Sequence, residues 1–208
     1  GIGKSMLAWE WFRSRATVAI PDLAGAMWWS FHEGGASVDA FIRRALAFVT
    51  DLTLPAIARM KPAAREAELL EALRARPFLI VLDSLERLLG AYYRMDAAYM
   101  TEDKVSQEAG SGDPRMRRCV DPDHAAFLQK LAACRPSRVV IATRLLPADL
   151  QKRDETLQEG IAHLHLSGLR PADARTLAAQ HNLRGDLDWF VRVAALFDNH
   201  PLMLRLLI

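Results

Sequence analysis

The chain begins with residues whose types and order suit a phosphate group. The sequence Gly-Ile-Gly-Lys-Ser at positions 1–5 leads into an amphipathic stretch at 6–12, which matches the end of the pattern G-x-x-x-x-G-K-[ST] at the start of a helix. In this pattern the glycine turns backbone N–H groups toward the phosphates, the lysine contacts the terminal phosphates, and the hydroxyl binds Mg²⁺. The sequence therefore predicts a phosphate-binding segment composed of Gly1, Ile2, Gly3, Lys4, Ser5 and Met6.

This match is partial, because the first glycine of the pattern and the strand before it would precede residue 1. We therefore expect the chain to be a piece of a longer protein. A helix that happens to follow two glycines is the alternative interpretation of the same residues.

A second candidate residue is the acid that ends an apolar run. Residues 78–82 are continuously apolar and are followed by Asp83, which predicts a buried parallel strand. Ligands of open α/β sheets bind outside the carboxyl ends of the strands, so Asp83 is expected to hold Mg²⁺ through water beside the Ser5 hydroxyl. The alternative is that Asp83 caps the helix that follows it.

A third strand is predicted over 138–142, where the residues are apolar and mostly β-branched. It delivers Thr143 and Arg144 to the same edge of the sheet. A guanidinium keeps its charge and can donate to two phosphate oxygens at once, so Arg144 is a candidate to contact a terminal phosphate. A surface arginine after a strand is the alternative.

Other patterns predict the elements around these residues. A strand over 26–31 contains the paired tryptophans Trp28 and Trp29, for which packing in the core competes with a base-stacking platform. A helix is expected from Ser37, with an apolar stripe that ends at Val49. A last strand is expected over 161–166. Its His163 and His165 lie on one face, which favours polar surface residues but leaves a metal site open.

The segment 90–122 differs from its surroundings, with tyrosines followed by a polar run, glycines and a basic cluster at 115–118. Long insertions of this kind are commonly mobile or functional. Both interpretations stand: a solvated insertion, or an excursion near the predicted phosphate site whose basic cluster contacts a partner or an acidic ligand. Helices are expected again from 123 to 133 and throughout the residues after Pro171.

Composition excludes several classes of protein. The 208 residues can bury a sizeable core, and a net charge of +2 with both signs well represented does not indicate a dedicated nucleic-acid binder. No apolar stretch approaches the ~18 residues that span a bilayer. Cys119 and Cys134 lack metal-site spacing and are expected to be reduced thiols of a cytoplasmic protein.

Four segments together resemble the NB-ARC domains of the STAND class of signalling ATPases, found in bacterial multidomain regulators and in plant and animal immune and death-signalling receptors. They are G-I-G-K-S at 1–5, F-L-I-V-L-D-S-L-E at 78–86, V-V-I-A-T-R at 139–144 and N-H-P-L-M-L-R-L-L at 199–207. The last segment resembles the G-L-P-L-A-L motif of that family and narrows the class, because the other three occur in many P-loop proteins.

The resemblance implies a fold and an activity. The fold is α/β, a P-loop NTPase with a three-layer α/β/α parallel sheet, followed by a small helical domain. The expected domains are a nucleotide-binding domain at 1–168, with an insertion at about 90–122, and the start of a truncated helical domain at 169–208. The implied activity is a switch in signal transduction, in which ADP holds a closed form and ATP permits opening and self-assembly into a homo-oligomer.

The resemblance also assigns residue roles. Gly3, Lys4 and Ser5 match the Walker A contacts to phosphate and Mg²⁺, and Asp83 matches the Walker B acid. Arg144 matches the sensor arginine, and Pro201 matches the proline that lies against the base or sugar of the nucleotide.

One position departs from the family. Many members follow the Walker B acid with a second acid that acts as a base toward water, and here that position holds Ser84, a poor base. Glu86 is the next acid and a candidate catalytic residue; at about 300° around a helix it would point either toward the Mg²⁺ site or into solvent. The expected ATP hydrolysis is therefore slow.

Two function classes remain open at this stage. The first is the switch, whose effector would precede residue 1 and whose winged-helix and sensor repeats would follow residue 208. The alternative is a motor ATPase of the AAA+ type that acts on DNA, as origin-recognition and loader proteins do. A small-molecule phosphotransferase is a third possibility without a recognisable acceptor motif.

Overall fold

The computed structural model describes residues 3–33, 36–94, 114–183, 185 and 187–208. Gly1, Ile2 and most of the predicted 90–122 insertion lie outside the described residues. The chain divides into two compact units. One unit is Phe12–Ala162, and the other combines Gly1–Trp11 with His163–Ile208.

A parallel sheet forms the centre of the unit Phe12–Ala162. Its three strands are β1 (Gly25–Ser30), β2 (Phe78–Asp83) and β3 (Arg138–Ala142), in the order β1-β2-β3. Both pairings are parallel. The predicted α/β class with a parallel sheet is therefore confirmed for this unit, including the position of each of these three strands.

Helices make up most of the rest of the described chain. In chain order they are α1 (Lys4–Ser14), α2 (Ala16–Ala19), α3 (Val38–Val49), α4 (Leu54–Arg59), α5 (Pro62–Ala75), α6 (Gly90–Arg94), α7 (Pro122–Ala132), α8 (Pro171–Gln180), α9 (Leu187–Leu196) and α10 (Pro201–Leu207). Short 3₁₀ turns occupy Leu85–Leu88, Pro114–Arg117 and Ala148–Leu150.

The hydrophobic core cluster packs against the face of the sheet that carries Ile80 and Leu82. All six residues of β2 are buried, and α3 contributes the apolar stripe that the sequence predicts, including Phe41 and Leu46. The predicted cap of α3 is confirmed, because the Ser37 hydroxyl accepts the N–H of Ala40 at 3.1 Å.

The paired tryptophans pack on opposite faces of β1, as expected for neighbours on one strand. The Trp29 ring lies 5.9 Å from that of Phe41, and the Trp28 ring lies 5.8 Å from that of Phe12. Both indoles are partly buried, so the packing interpretation is confirmed.

One predicted strand is wrong. Residues 161–166 have no strand assignment in the structure, although their alternation of apolar and polar residues suits a half-buried strand. A strand forms only where a neighbour accepts its backbone hydrogen bonds, and within the described residues no strand pairs with this segment.

The unit that contains His163–Ile208 has a small core of its own, with Ala174, Ala178, Phe190, Ala194 and Leu204 fully buried. Its three helices confirm the predicted helical character of the residues after Pro171. Within the part of the chain that the structure describes, no helix is both long enough and apolar enough to cross a membrane.

Both cysteines are buried and form no disulfide. Burial, together with the nearby carboxylate of Asp149, raises the pKa of the Cys119 thiol to about 12. The prediction of unpaired thiols therefore agrees with the structure.

The buried Ser137 forms hydrogen bonds that link α5, β2 and β3. The Ser137 hydroxyl accepts the N–H of Phe78 at 3.0 Å and lies 2.5 Å from the carbonyl of Leu73 and 2.9 Å from that of Arg76. One hydroxyl hydrogen serves one of these carbonyls at a time. Ser137 thus ties the end of α5 and the start of β2 to the start of β3.

We expect Ser137→Ala to lower the free energy of unfolding by about 1–3 kcal/mol, because it leaves the buried N–H of Phe78 without an acceptor. Urea denaturation followed by circular dichroism measures the loss. The matched control is Ser167→Ala at an exposed serine, for which the change should stay within about 0.5 kcal/mol. Equal effects of the two substitutions would contradict the tethering role.

Candidate functional site

The three strands bring polar residues to one edge of the sheet. The register pairs Ser30 with Asp83 and Asp83 with Ala142, so the carboxyl ends of the strands lie side by side. Thr143 and Arg144 follow directly. This edge is where ligands of parallel α/β sheets bind. We call the group formed by Ser30, Asp83, Glu86 and Arg144 the carboxyl-edge cluster.

Asp83 is a buried carboxylate with 8% exposure. The Ser30 hydroxyl donates to its Oδ2 over a long distance of 3.5 Å, and the same hydroxyl oxygen accepts the N–H of His32 at 3.2 Å. Carboxylate oxygens are ligands that Mg²⁺ and Ca²⁺ prefer in proteins. Asp83 is therefore in the right place and of the right chemistry to bind a cation directly or through water.

Ser84 makes the turn that follows β2. Its backbone is left-handed, with φ 59° and ψ 39°, and its N–H donates to the carbonyl of Ala142 at 2.9 Å. This conformation is unfavourable for residues other than glycine, asparagine and aspartate. The turn ends the strand abruptly and leads into the 3₁₀ turn Leu85–Leu88 rather than into an α-helix.

Glu86 consequently points into the protein. Its residue exposure is 6%, so the expectation that it could face solvent is wrong. Its Oε2 accepts the backbone N–H of Arg144 at 3.3 Å, and its Oε1 lies 3.6 Å from the Nε atom of the same residue. The two side chains are 8% and 18% exposed, so the ion pair is largely shielded from water.

The segment after β3 is shaped by Thr143. Its hydroxyl donates to the carbonyl of Leu145 at 3.0 Å and lies 3.4 Å from the N–H of the same residue. The Leu145 side chain is buried. These contacts hold the backbone on both sides of Arg144.

Two further residues border the cluster. An Nη atom of Arg87 lies 2.8 Å from Nδ1 of His32, which joins the 3₁₀ turn after β2 to the turn after β1. Sequence reasoning missed Ser30, His32 and Arg87. The available signal for Ser30 was a single hydroxyl at the end of an apolar strand.

The phosphate-loop residues belong to the other unit. Gly3 has φ +88°, and its carbonyl accepts the N–H of Leu7 at 2.8 Å, which closes the first turn of α1. Lys4 is the first residue of α1 and is half-buried, whereas Ser5 and Met6 are exposed. The predicted start of a helix at this motif is confirmed, since α1 begins at Lys4.

The predicted nucleotide-base contact, Pro201, also lies in this unit. It opens α10, where the preceding His200 accepts the N–H of Met203 at 3.4 Å through Nδ1. The carbonyl of Asn199 accepts the N–H of Leu169 at 2.9 Å. Proline suits this first helical position because its missing N–H would have no partner there.

The structure thus brings together Asp83, Glu86 and Arg144 in one unit, while Gly3, Lys4, Ser5, Met6 and Pro201 lie in the other. Among the described residues there is no group of three or more His, Cys, Asp and Glu side chains that could hold a metal.

The two alternatives for His163 and His165 can also be compared with the geometry. Their ring centroids are 6.3 Å apart, and both residues are exposed. Their exposure agrees with polar surface residues, although the strand on which they were predicted does not form.

A cleft of about 740 Å³ lies elsewhere in the unit Phe12–Ala162, between α3 and α4. Trp29, Asp39, Arg43 and Pro55 are among its lining residues. No residue of the carboxyl-edge cluster lines it, so it offers a separate location against which ligand binding can be tested.

Comparison with protein-family models, curated proteins and solved structures finds no match to this chain. The functional interpretation therefore depends on the chain's own motifs and geometry.

The left-handed turn at Ser84 predicts an unusual order of stabilities. Ser84→Gly should keep or slightly raise the free energy of unfolding, because glycine adopts this conformation without steric cost. Ser84→Val should lower it by about 1–2 kcal/mol, since a β-branched side chain clashes there. Urea unfolding of both variants tests the turn. A valine variant as stable as the wild type would show that the residue is not left-handed in solution.

Proposed function

We propose that this chain is the nucleotide-binding switch module of a STAND signalling ATPase of the NB-ARC type. In this proposal it binds ATP or ADP with Mg²⁺ on a P-loop α/β fold. ATP is hydrolysed slowly, and the bound nucleotide controls opening and self-assembly. The observation that carries the proposal is the carboxyl-edge cluster, in which an acid ends a fully buried central strand beside a strand that delivers an arginine.

The first support comes from Asp83. An acid at the carboxyl end of a strand lies at the crevice where open α/β sheets bind ligands, and carboxylate oxygens are ligands that Mg²⁺ prefers. In P-loop proteins an acid on a neighbouring strand and the hydroxyl of the phosphate loop bind the same Mg²⁺. Asp83 and Ser5 would share this role. The bound ion would neutralise charge on the phosphates during transfer.

The second support comes from the start of α1. The left-handed Gly3, followed by Lys4 and Ser5 at the first two helical positions, presents backbone N–H groups and the positive end of the helix dipole to an anion. The Lys4 ammonium would add a charge-assisted contact to the terminal phosphates.

The third support comes from Arg144, which the structure brings to the same edge as Asp83. Only ATP carries a γ-phosphate, so an arginine that contacts this group gives ATP an interaction that ADP lacks. Discrimination between two nucleotides is what a switch requires.

Hydrolysis requires a water molecule to attack the γ-phosphate as the bond to the β-phosphate oxygen breaks, releasing ADP and phosphate. Ser84 cannot act as an efficient base at neutral pH. The other nearby acid, Glu86, faces Arg144 with both oxygens. Slow turnover follows from this arrangement and suits a regulatory module.

The parts of the proposal outside this chain follow from the resemblance of the four sequence segments to NB-ARC domains. Effector and sensor domains of the same polypeptide would be the partners, together with further copies in the ATP-bound state. The unpaired buried thiols Cys119 and Cys134 accord with a cytoplasmic location. A role in nucleic-acid binding finds no support in a net charge of +2.

Replacement of the loop lysine tests nucleotide binding. We expect Lys4→Ala in the full-length protein to lower the affinity for Mg·ADP and for Mg·ATP by roughly 10- to 150-fold. This loss corresponds to about 1.5–3 kcal/mol, the contribution of a charge-assisted hydrogen bond. Isothermal titration calorimetry measures both affinities. The control is Lys152→Ala at an exposed lysine, which should bind as the wild type does. Unchanged affinity in Lys4→Ala would refute the phosphate-loop assignment.

The hydrolysis rate separates the switch from the motor alternative. Under single-turnover conditions we expect the full-length protein to hydrolyse ATP slowly, and Ser84→Asp to accelerate it by placing a carboxylate beside Asp83. Ser84→Asn is the matched control, because asparagine tolerates the same left-handed backbone but is not a base. A wild-type rate of many turnovers per second would favour the AAA+ motor function instead.

A further inference from the structure

We propose that Glu86 is a positioning residue that holds Arg144 at the carboxyl edge of the sheet, and is not the base that activates water. This inference rests on the proposed nucleotide site, because the benefit of a positioned Arg144 is discrimination between ATP and ADP. The contact itself can be tested without any nucleotide.

The geometry assigns both oxygens of Glu86 to one residue. Oε2 accepts the backbone N–H of Arg144 at 3.3 Å, and Oε1 lies 3.6 Å from Nε of its guanidinium. The first contact fixes the backbone just after β3. The second contact restrains the Nε end of the guanidinium group, next to the carbon atom that carries the two Nη atoms. The Glu86 carboxylate therefore restrains both the backbone position of Arg144 and the orientation of its side chain.

Glu86 is itself held firmly. It belongs to the 3₁₀ turn Leu85–Leu88, and the flanking Leu85 and Leu89 are fully buried. The left-handed Ser84 orients this turn through its hydrogen bond to Ala142. A carboxylate on such an anchored turn can define the position of a partner, which a carboxylate on a flexible loop cannot do.

The opposite charges of the two side chains support this pairing. Arg144 is 18% exposed at its side chain, and a guanidinium remains charged at all relevant pH values. ADP carries no γ-phosphate that could contact this charge. Glu86 supplies a permanent counter-charge, so that Arg144 can stay in place in both nucleotide states and meet the γ-phosphate without a large rearrangement.

If Glu86 were the base, its carboxylate would need a different position. A general base must be within hydrogen-bond reach of the attacking water. Here the carboxylate is buried against the loop after β3, and water could bind its oxygens only beside or in place of the contacts with Arg144.

The nucleotide-independent test is a double-mutant cycle in urea unfolding with Glu86→Ala, Arg144→Ala and the double variant. We expect a coupling of about tenfold or more in the unfolding equilibrium constant, as for residues in direct contact. Glu71→Ala with Arg153→Ala, two exposed positions, forms the control cycle and should be additive. Additivity of the Glu86 and Arg144 substitutions would overturn the inference.

The nucleotide test compares the affinity ratio of Mg·ATP to Mg·ADP in the full-length protein. We expect Glu86→Ala to reduce this ratio nearly as far as Arg144→Ala does, with no further loss in the double variant. Glu86→Gln keeps an acceptor for the Arg144 N–H, so its affinity ratio should fall less than that of Glu86→Ala. It also provides a test if the alanine variant fails to fold.

Other outcomes are equally decisive. An unchanged or raised ratio in Glu86→Ala would overturn the positioning role while leaving the proposed function intact. A ratio unchanged in Glu86→Gln with hydrolysis lowered by ~10²–10⁴-fold would identify Glu86 as the base instead. Failure of the wild type to bind either nucleotide would refute the proposed function. The unfolding cycle would still test whether Glu86 and Arg144 interact.

Discussion

The burial of β2 between two parallel neighbours is the constraint on which the candidate site depends. Every residue of Phe78–Asp83 is buried, so its backbone groups must pair with the strands on either side. That pairing fixes the register of Ser30, Asp83 and Ala142 at one edge. Because a slip of one residue would turn each side chain to the opposite face, the apolar core determines where the Asp83 carboxylate emerges.

The two acids at this edge have different surroundings, and the difference assigns them different roles. Asp83 accepts a hydrogen bond from the Ser30 hydroxyl and is the last residue of β2, at the edge where parallel α/β sheets bind ligands. Glu86, three residues later, faces the charged guanidinium of Arg144. A left-handed turn at Ser84 separates them. In the proposed function, Asp83 would bind the cation, whereas Glu86 would position the arginine that would distinguish ATP from ADP.

Much of the fold follows from local patterns in the sequence. The apolar runs before Asp83 and Arg144 predicted two strands correctly, because a strand buried on both faces needs apolar side chains at every position. The predicted start of α3 at Ser37 and the helices predicted after Pro171 were also correct. These features depend on near neighbours in the chain, which a single sequence contains.

Features that depend on distant parts of the chain were not predictable. The strand expected at 161–166 requires a partner strand, and alternation of residues does not reveal whether one is present. The direction of Glu86 was ambiguous because it depends on a 3₁₀ turn and a left-handed serine rather than on an α-helix. The contacts of Ser30 with Asp83 and of His32 with Arg87 join residues more than fifty positions apart, and no spacing rule indicates them.

Hydrogen–deuterium exchange of the full-length protein with and without Mg·ADP tests most directly whether nucleotide binds at the carboxyl edge of the sheet. We predict slower exchange of backbone amides at 3–7, 84–87 and 143–146. These segments are the start of α1 and the loops that follow β2 and β3, which bound phosphates and Mg²⁺ would restrain. Exchange that is unchanged in these segments, or slowed only at 36–58 around the separate cleft, would contradict the account.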